Sequence, residues 1–204
     1  MKKIVGVLTC CVLLALGGDY KDGLSAYDKK EYKKAAALFT KAADQGDAAT
    51  QYHLGFMYNH GKGVKQDYFK AAALYQKAAD QGIASAQVSL GLMYHQGKGV
   101  KQDYFKAAAL FTKAADQGIA SAQWFLGMMY DLGEGVKQDY FKAAALFTKA
   151  ADQGHASAQF VLGFMYHKGR GVRQNDSAAK ELYGKACDGG ENLGCESYAK
   201  LNRR

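Results

Sequence analysis

Between Ala84 and Gly97 the positions Ala84, Gln87, Leu90, Gly91 and Tyr94 fall three and four apart, the spacing that gathers side chains on one face of a helix. Gly97 ends the run. The stretch before it, DYFKAAALYQKAAD from Asp67, has an acidic candidate N-cap, a body of helix-forming alanine and lysine, and Gly82 just past its end. Together they predict an antiparallel helix pair. The connecting GKGVKQ carries Gly97 and Gly99 two apart, where left-handed backbone angles allow a tight reversal. Gly91 lies in mid-helix and costs about 1 kcal/mol against alanine. Close approach of two helix backbones is the expected compensation.

The same pattern recurs. The 36-residue stretch from Lys65 to Val100 returns with few changes at Lys101–Val136 and again at Lys137–Val172. A period of this length means that each helix pair must bury its apolar face against its neighbours, which predicts an all-α solenoid. Equivalent pairs begin at Ala48, Ala84, Ala120 and Ala156 and define repeats over 48–83, 84–119, 120–155 and 156–190. Residues 19–47 are expected to form an N-terminal helical cap, with a short helix from Asp19 to Tyr27 and a complete one from Asp28 to Asp44. Residues 191–204, which depart from the repeat, are expected to form a capping helix. With no proline and 24 glycines, nothing interrupts the helices from inside, and glycine supplies the stops.

Residues 1–18 read as a secretory signal, with Lys2 and Lys3 followed by an apolar run from Ile4 to Leu16 and small residues at Ala15 and Gly17. That run is shorter than the roughly 20 residues that span a bilayer, so no stable membrane span is expected once the signal is removed. Cys10 and Cys11 leave with it. Cys187 and Cys195 remain, and an even pair in an exported chain, periplasmic or secreted, favours a disulfide over a metal site or a reactive thiol. Losing Lys2 and Lys3 takes the formal charge from +8 to +6, which is too small for a nucleic-acid footprint. The expected form is a monomer without a cofactor.

The pattern Ala-x-x-Gln-x-x-Leu-Gly-x-Met-Tyr-x-x-Gly-x-Gly-Val-x-x-Asp-x-x-Lys-Ala, running on to Lys-Ala-Ala-Asp-Gln-Gly, resembles the Sel1-like repeat, a relative of the tetratricopeptide repeat. It covers nearly all of the chain after residue 18. The C-terminal KACDGGENLGC also resembles the unit of the Helicobacter cysteine-rich proteins, which pair cysteines eight positions apart. Here only Cys187 and Cys195 match. The resemblance implies a right-handed superhelix whose first helices line a concave groove that holds a protein or peptide. Through the cysteine-rich group it also implies an alternative, weak β-lactam binding or hydrolysis.

Near-identical repeats show which positions vary. Gln, Leu, Gly and Tyr are fixed in the first helix of each pair, whereas changes fall at Tyr52, Phe56, Asn59 and His60; at Val88, Leu92, His95 and Gln96; at Trp124, Met128, Asp131 and Leu132; and at Phe160, Phe164, His167 and Lys168. Each set forms one helical stripe. Residues locked into repeated packing should themselves repeat, so these stripes are the expected partner-binding groove, with partly exposed aromatic and methionine anchors. Ser177-Ala-Ala-Lys180 spells the S-x-x-K of penicillin-recognising enzymes but lacks the companion S-D-N and K-T-G motifs, so Ser177 or Asp176 is expected to cap a helix, and no catalytic residue is assigned. The histidines, mostly one per repeat and never i, i+4, predict solvated or groove-polar side chains and no metal. Recurrent lysines such as Lys65, Lys70 and Lys77 predict a basic convex surface, by default a solvated face and in its functional version one that attracts an acidic partner or an anionic envelope surface.

Overall fold

The computed structural model describes residues 18–203. The signal reading of residues 1–18 lies almost entirely outside them. Among the described residues every regular element is a helix, and the chain divides into two compact units that meet at Gln102 and Asp103. The first holds α1 (18–28), α2 (Tyr32–Asp44), α3 (Ala48–His60), α4 (Tyr68–Asp80) and α5 (Ala84–Gln96). The second holds α6 (Tyr104–Asp116), α7 (Ala120–Leu132), α8 (Tyr140–Asp152), α9 (Ala156–Lys168), α10 (Asp176–Asp188) and α11 (Asn192–Asn202). Within each unit, consecutive helices pack in order, α2 on α3, α3 on α4 and α4 on α5, then α6 through α11 likewise. This is the helix-pair solenoid that the repeat predicts.

Within the repeat the expected helix limits hold because the signals are chemical. Asp67 and Asp103 cap α4 and α6 by accepting from the backbone N–H of Lys70 and Lys106, each at 3.0 Å. At the far end of the pair, α5 stops at Gly97 with φ of 69°, a left-handed angle that a side chain would oppose. The following Gln102 donates to the His95 carbonyl at 2.8 Å, satisfying one of the open groups at that helix end. Gly135 is needed twice over. Its φ is 64°, and a Cβ there would run into the Tyr104 carbonyl. Near the N-terminus, Asp28 ends α1 and residues 29–31 form a turn with Lys30 at φ 62°, so the helix expected from Asp28 begins at Tyr32.

Each repeat closes around an aromatic ring. In the second unit Gly127 of α7 lies beneath the fully buried Phe147 of α8, and a Cβ built on it would come within 2.7 Å of the ring. Gly163 of α9 lies likewise beneath Tyr183 of α10, and in the first unit Gly55 lies beneath Tyr75. The cost of mid-helix glycine is therefore offset chiefly by a ring seated against the bare backbone, and at Gly163 the neighbouring backbone also comes close, as the sequence suggests, a Cβ there falling 3.2 Å from the Ala179 carbonyl oxygen. Alanines complete the seat. Ala143, Ala144, Ala150 and Ala151 surround Phe147 on its own helix and are all buried, which lets the helices approach closely.

A buried glutamine fixes the register. Gln123 donates from Nε2 to the Ala115 carbonyl, and its side-chain oxygen accepts from Nε2 of Gln153 in the next pair at 2.8 Å. In the first unit Gln51 does the same with the Ala43 carbonyl at 3.2 Å and Gln81 Nε2 at 2.9 Å. Both ends of a buried amide are thus satisfied, which removes the penalty of burying it.

Cys187 and Cys195 form a disulfide, with Cα atoms 4.6 Å apart, and it staples α10 to α11. Two histidines are packed, not solvated as the sequence suggested. His53 stacks on Phe39 at 5.6 Å, and its Nε2 lies 3.3 Å from the Tyr20 hydroxyl. His155 is the N-cap of α9, its Nδ1 accepting from the Ala158 N–H at 3.2 Å, where Ile83 and Ile119 stand in other repeats. Burial holds both imidazoles below their ordinary value of 6.5, opposed for His53 by Asp47.

Three measurements follow from these contacts. Gly127→Ala gains helix propensity but must displace a buried ring, and should lower stability in urea by roughly 1–3 kcal/mol, partly restored by adding Phe147→Leu. Breaking the disulfide with Cys187→Ala and Cys195→Ala should release about 2–3 kcal/mol of stabilisation on the chain-entropy estimate, seen first as faster amide exchange in α11. Acid should also destabilise the fold. Both histidines have folded values below the unfolded one, so stability is full above pH 6.5, falls as pH drops below it, and levels off beneath the folded values. His155→Ile, which copies the chain's own neighbours, should flatten that dependence in thermal melts between pH 7.5 and about pH 5.

Candidate protein-interaction surface

In the first unit α3 presents Tyr52, Phe56, Asn59 and His60, and α5 presents Val88, Leu92, His95 and Gln96. Six of these, Tyr52, Phe56, Asn59, His60, Leu92 and Gln96, line one open hollow of about 430 Å³, with Tyr68, Tyr75, Ser89 and Lys98 also on its wall. Val88 and His95 are half-buried outside that lining. The wall is ordered. The Phe56 and His60 rings lie 4.0 Å apart, His60 Nδ1 donates to the Phe56 carbonyl at 2.9 Å, and the Lys62 ammonium sits over Phe56 at 5.4 Å. Burial, helped by Tyr52, pushes the Tyr75 hydroxyl far above the ordinary phenol range despite its bond to Ser89. It remains a neutral donor at the floor of the hollow.

The corresponding side chains of the second unit form a more divided surface. Trp124 is half-buried, edge-on to Phe125 at 4.7 Å and stacked on His155 at 5.5 Å, and its buried indole N–H has no hydrogen-bond partner. Met128 packs against the core around Phe147. Phe160 is half-buried beside Tyr183 at 5.8 Å, Phe164 and Leu132 are exposed, and Lys168 is exposed with its ammonium 6.0 Å from the Phe164 ring. His167 Nδ1 donates to the Asp176 carboxylate at 2.6 Å.

Asp131 departs from expectation. Instead of standing in an open stripe it is 7% exposed and paired with Arg170, whose Nη2 lies 2.8 Å from one carboxylate oxygen and 2.9 Å from the other. Burial pushes the Asp131 carboxyl up, and Arg170 opposes that shift. Arg170 in turn lies over Tyr140 at 4.9 Å and Phe164 at 5.7 Å. The pair was visible as a double exception, because Asp131 replaces Asn or His while Arg170 replaces the Lys62, Lys98 or Glu134 of other turns. The S-x-x-K residues also move from their expected place. Asn175, not Ser177 or Asp176, caps α10 by accepting from the Ala178 N–H at 3.1 Å, because the helix begins one residue earlier than expected. Ser177 is exposed, and the Lys180 ammonium lies over the Tyr198 ring at 5.7 Å.

Sequence reasoning passed over Phe69, Phe105 and Phe141. They repeat without change and are about three-quarters exposed, although repetition suggested packing. Among the described residues no three His, Cys, Asp or Glu side chains are arranged to hold a metal, and no helix is long and apolar enough to cross a membrane.

With this geometry in hand, the relatives are informative. The model of the Sel1 repeat matches residues 11–47, 48–83, 84–119, 120–155 and 156–191, so the region expected to be a cap is matched as a repeat as well. Comparison with curated proteins gives no match. Among solved structures, a protective antigen of uropathogenic Escherichia coli that displays an SLR fold is 37% identical with a TM-score of 0.88, over 91% of this chain and 41% of that one. This chain therefore spans less than half of that protein. A Sel1 repeat protein of Oxalobacter formigenes is 30% identical with a TM-score of 0.84, over 89% and 72% of the two chains. Helicobacter pylori cysteine rich protein B is 29% identical with a TM-score of 0.52, over 65% of this chain and 96% of that one. Five repeat matches, the stacked helix pairs and these relatives agree that the chain belongs to the Sel1 repeat family.

Proposed function

We propose that this protein is an exported scaffold that holds an extended peptide or a helix of a partner protein on the variable faces of α3 and α5 in the first unit, and of α7 and α9 in the second. Sel1 repeats generally serve as protein-interaction scaffolds, and the reading rests on one observation above the rest. Six variable residues from two repeats line a single open hollow in the first unit, while the residues that do not vary, such as Leu54, Leu90 and Met57, are buried. In the first unit packing accounts for Leu54, Leu90 and Met57, whereas Tyr52, Phe56, Asn59, His60, Leu92 and Gln96 stand on the wall of the hollow. Tyr52, Phe56 and Leu92 would supply apolar area, and Asn59, His60 and Gln96 would select the partner's polar groups. Trp124, Phe160 and Phe164 would anchor the same ligand class in the second unit. Export is supported by the Cys187–Cys195 disulfide, which belongs to an oxidising compartment, and by the likeness to the Helicobacter protein.

Capture from an envelope extract tests the proposal. The parent should retain a partner that the Trp124→Ala, Phe160→Ala variant loses by about tenfold or more, each truncation of an interface aromatic removing roughly 1–2 kcal/mol or more of binding. Circular dichroism should show unchanged helicity in the variant. Equal retention by both proteins would remove the variable face of the second unit, and equal retention by a Tyr52→Ala, Phe56→Ala variant would remove that of the first.

A further inference from the structure

Three phenylalanines stand almost wholly in water, and each is a copy of the others. Phe69 in the first unit is 77% exposed, and Phe105 and Phe141 in the second are 76% and 77% exposed. Each is the second residue of its helix, α4, α6 or α8, and is followed at once by a lysine. Single exposed apolar residues are ordinary on soluble proteins, but the same bare ring at the same place in successive repeats is a pattern that packing does not explain.

Cations gather beside these rings. Next to Phe69 opens a hollow of about 700 Å³, lined by Lys65, Lys70 and Tyr58, with the Lys70 ammonium held over the Tyr58 ring at 5.2 Å. In the second unit Lys137, Lys142 and Tyr130 line a hollow of about 370 Å³, with Lys142 over Tyr130 at 5.2 Å, and Phe141 stands next to Lys142 in the chain but outside that lining. The capping aspartates stand among these cations, Asp67 and Asp139 lining the two hollows. The Lys106 and Lys142 ammonium groups lie 3.7 Å and 3.8 Å from the Asp103 and Asp139 carboxylates, exposed pairs that salt and solvent weaken. Asp139 accepts from the backbone N–H groups of Phe141 and Lys142, each at 3.0 Å, and Asp67 from that of Lys70.

We propose that each of these helix starts is a docking edge for an anionic lipid bilayer, its phenylalanine ring entering the headgroup layer and its lysines meeting lipid phosphates. Exposed aromatic rings beside cations suit that boundary, where apolar area and opposite charge act together. Repetition favours a bilayer over a protein. An identical Phe–Lys pair in each repeat matches a surface that is alike at every point, whereas a protein partner would have to carry the same period. These edges lie on α4, α6 and α8 and share no helix with the variable faces proposed for partner binding.

Vesicle binding by the full chain tests this, using phosphatidylcholine alone and phosphatidylcholine mixed with phosphatidylglycerol. The comparison variant is Phe69→Ser, Phe105→Ser, Phe141→Ser, because Ser177 is the chain's own residue at the equivalent position. The apolar run from Ile4 to Leu16 is common to both proteins, so it cancels in the difference. The parent should bind the mixed vesicles and the triple variant about tenfold or more weakly, with the difference narrowing on phosphatidylcholine alone. A Phe141→Trp variant should gain blue-shifted emission that brominated lipid quenches. The Trp124→Ala, Phe160→Ala variant should bind vesicles as the parent does, which separates these edges from the partner-binding face. Equal binding by parent and triple variant, absence of quenching at position 141, or loss of vesicle binding in the Trp124 and Phe160 variant would each overturn the proposal. So would retention of an acidic polypeptide in preference to the mixed vesicles.

Discussion

An aromatic ring seated on a bare helix backbone governs the spacing of this structure. Where Phe147 covers Gly127, or Tyr75 covers Gly55, the ring takes the volume that a side chain would otherwise fill, and the surrounding alanines let the next helix close over it. A buried ring of this kind contributes on the order of 1.5–3 kcal/mol through the area it removes from water, which exceeds the cost of about 1 kcal/mol for placing glycine in mid-helix. The balance favours the contact in every repeat where it occurs. Small residues on one helix and one large residue on the next are therefore a single device, and the alanine-rich composition is its consequence.

Directional bonds then fix what the apolar contact leaves free. Rings and alanines resist separation but tolerate sliding, whereas Gln123 is satisfied only when Ala115 and Gln153 both stand at the right height. The turns add a second constraint. A glutamine such as Gln102 ties the loop to the end of the preceding helix, and glycine angles such as that of Gly97 return the chain. Hydrophobic packing supplies most of the cohesion, and the amides choose one arrangement among several of similar burial.

Helix limits and pairing were legible because they depend on local chemistry: aspartate caps, glycine stops and a period too regular to mistake. The candidate surface was partly legible. Variation among copies picked out Tyr52, Phe56, Asn59, His60, Leu92 and Gln96, because a residue fitted between identical neighbours has little freedom to change. The rule failed in both directions where partners came from outside the repeat. Asp131 varies yet is buried, since Arg170 varies with it, and Phe69 is constant yet exposed, since no packing holds it constant. His155 was read as a polar surface residue, but its ring is a helix cap seated on Trp124, a role that depends on a neighbour 31 positions away in the sequence.

The Asp131–Arg170 pair has a meaning for how the chain finds its order. Modules that are nearly identical carry nearly identical faces, and a folding chain could seat one module on the wrong copy with little loss of apolar contact. A buried carboxylate with a single matching guanidinium breaks that degeneracy, because a stack that skipped a module would strand Asp131 in a poorly solvated place at a cost of several kcal/mol. Such a pair adds little net stability against an apolar replacement. Its value lies in arithmetic: it lets a chain of interchangeable parts count them.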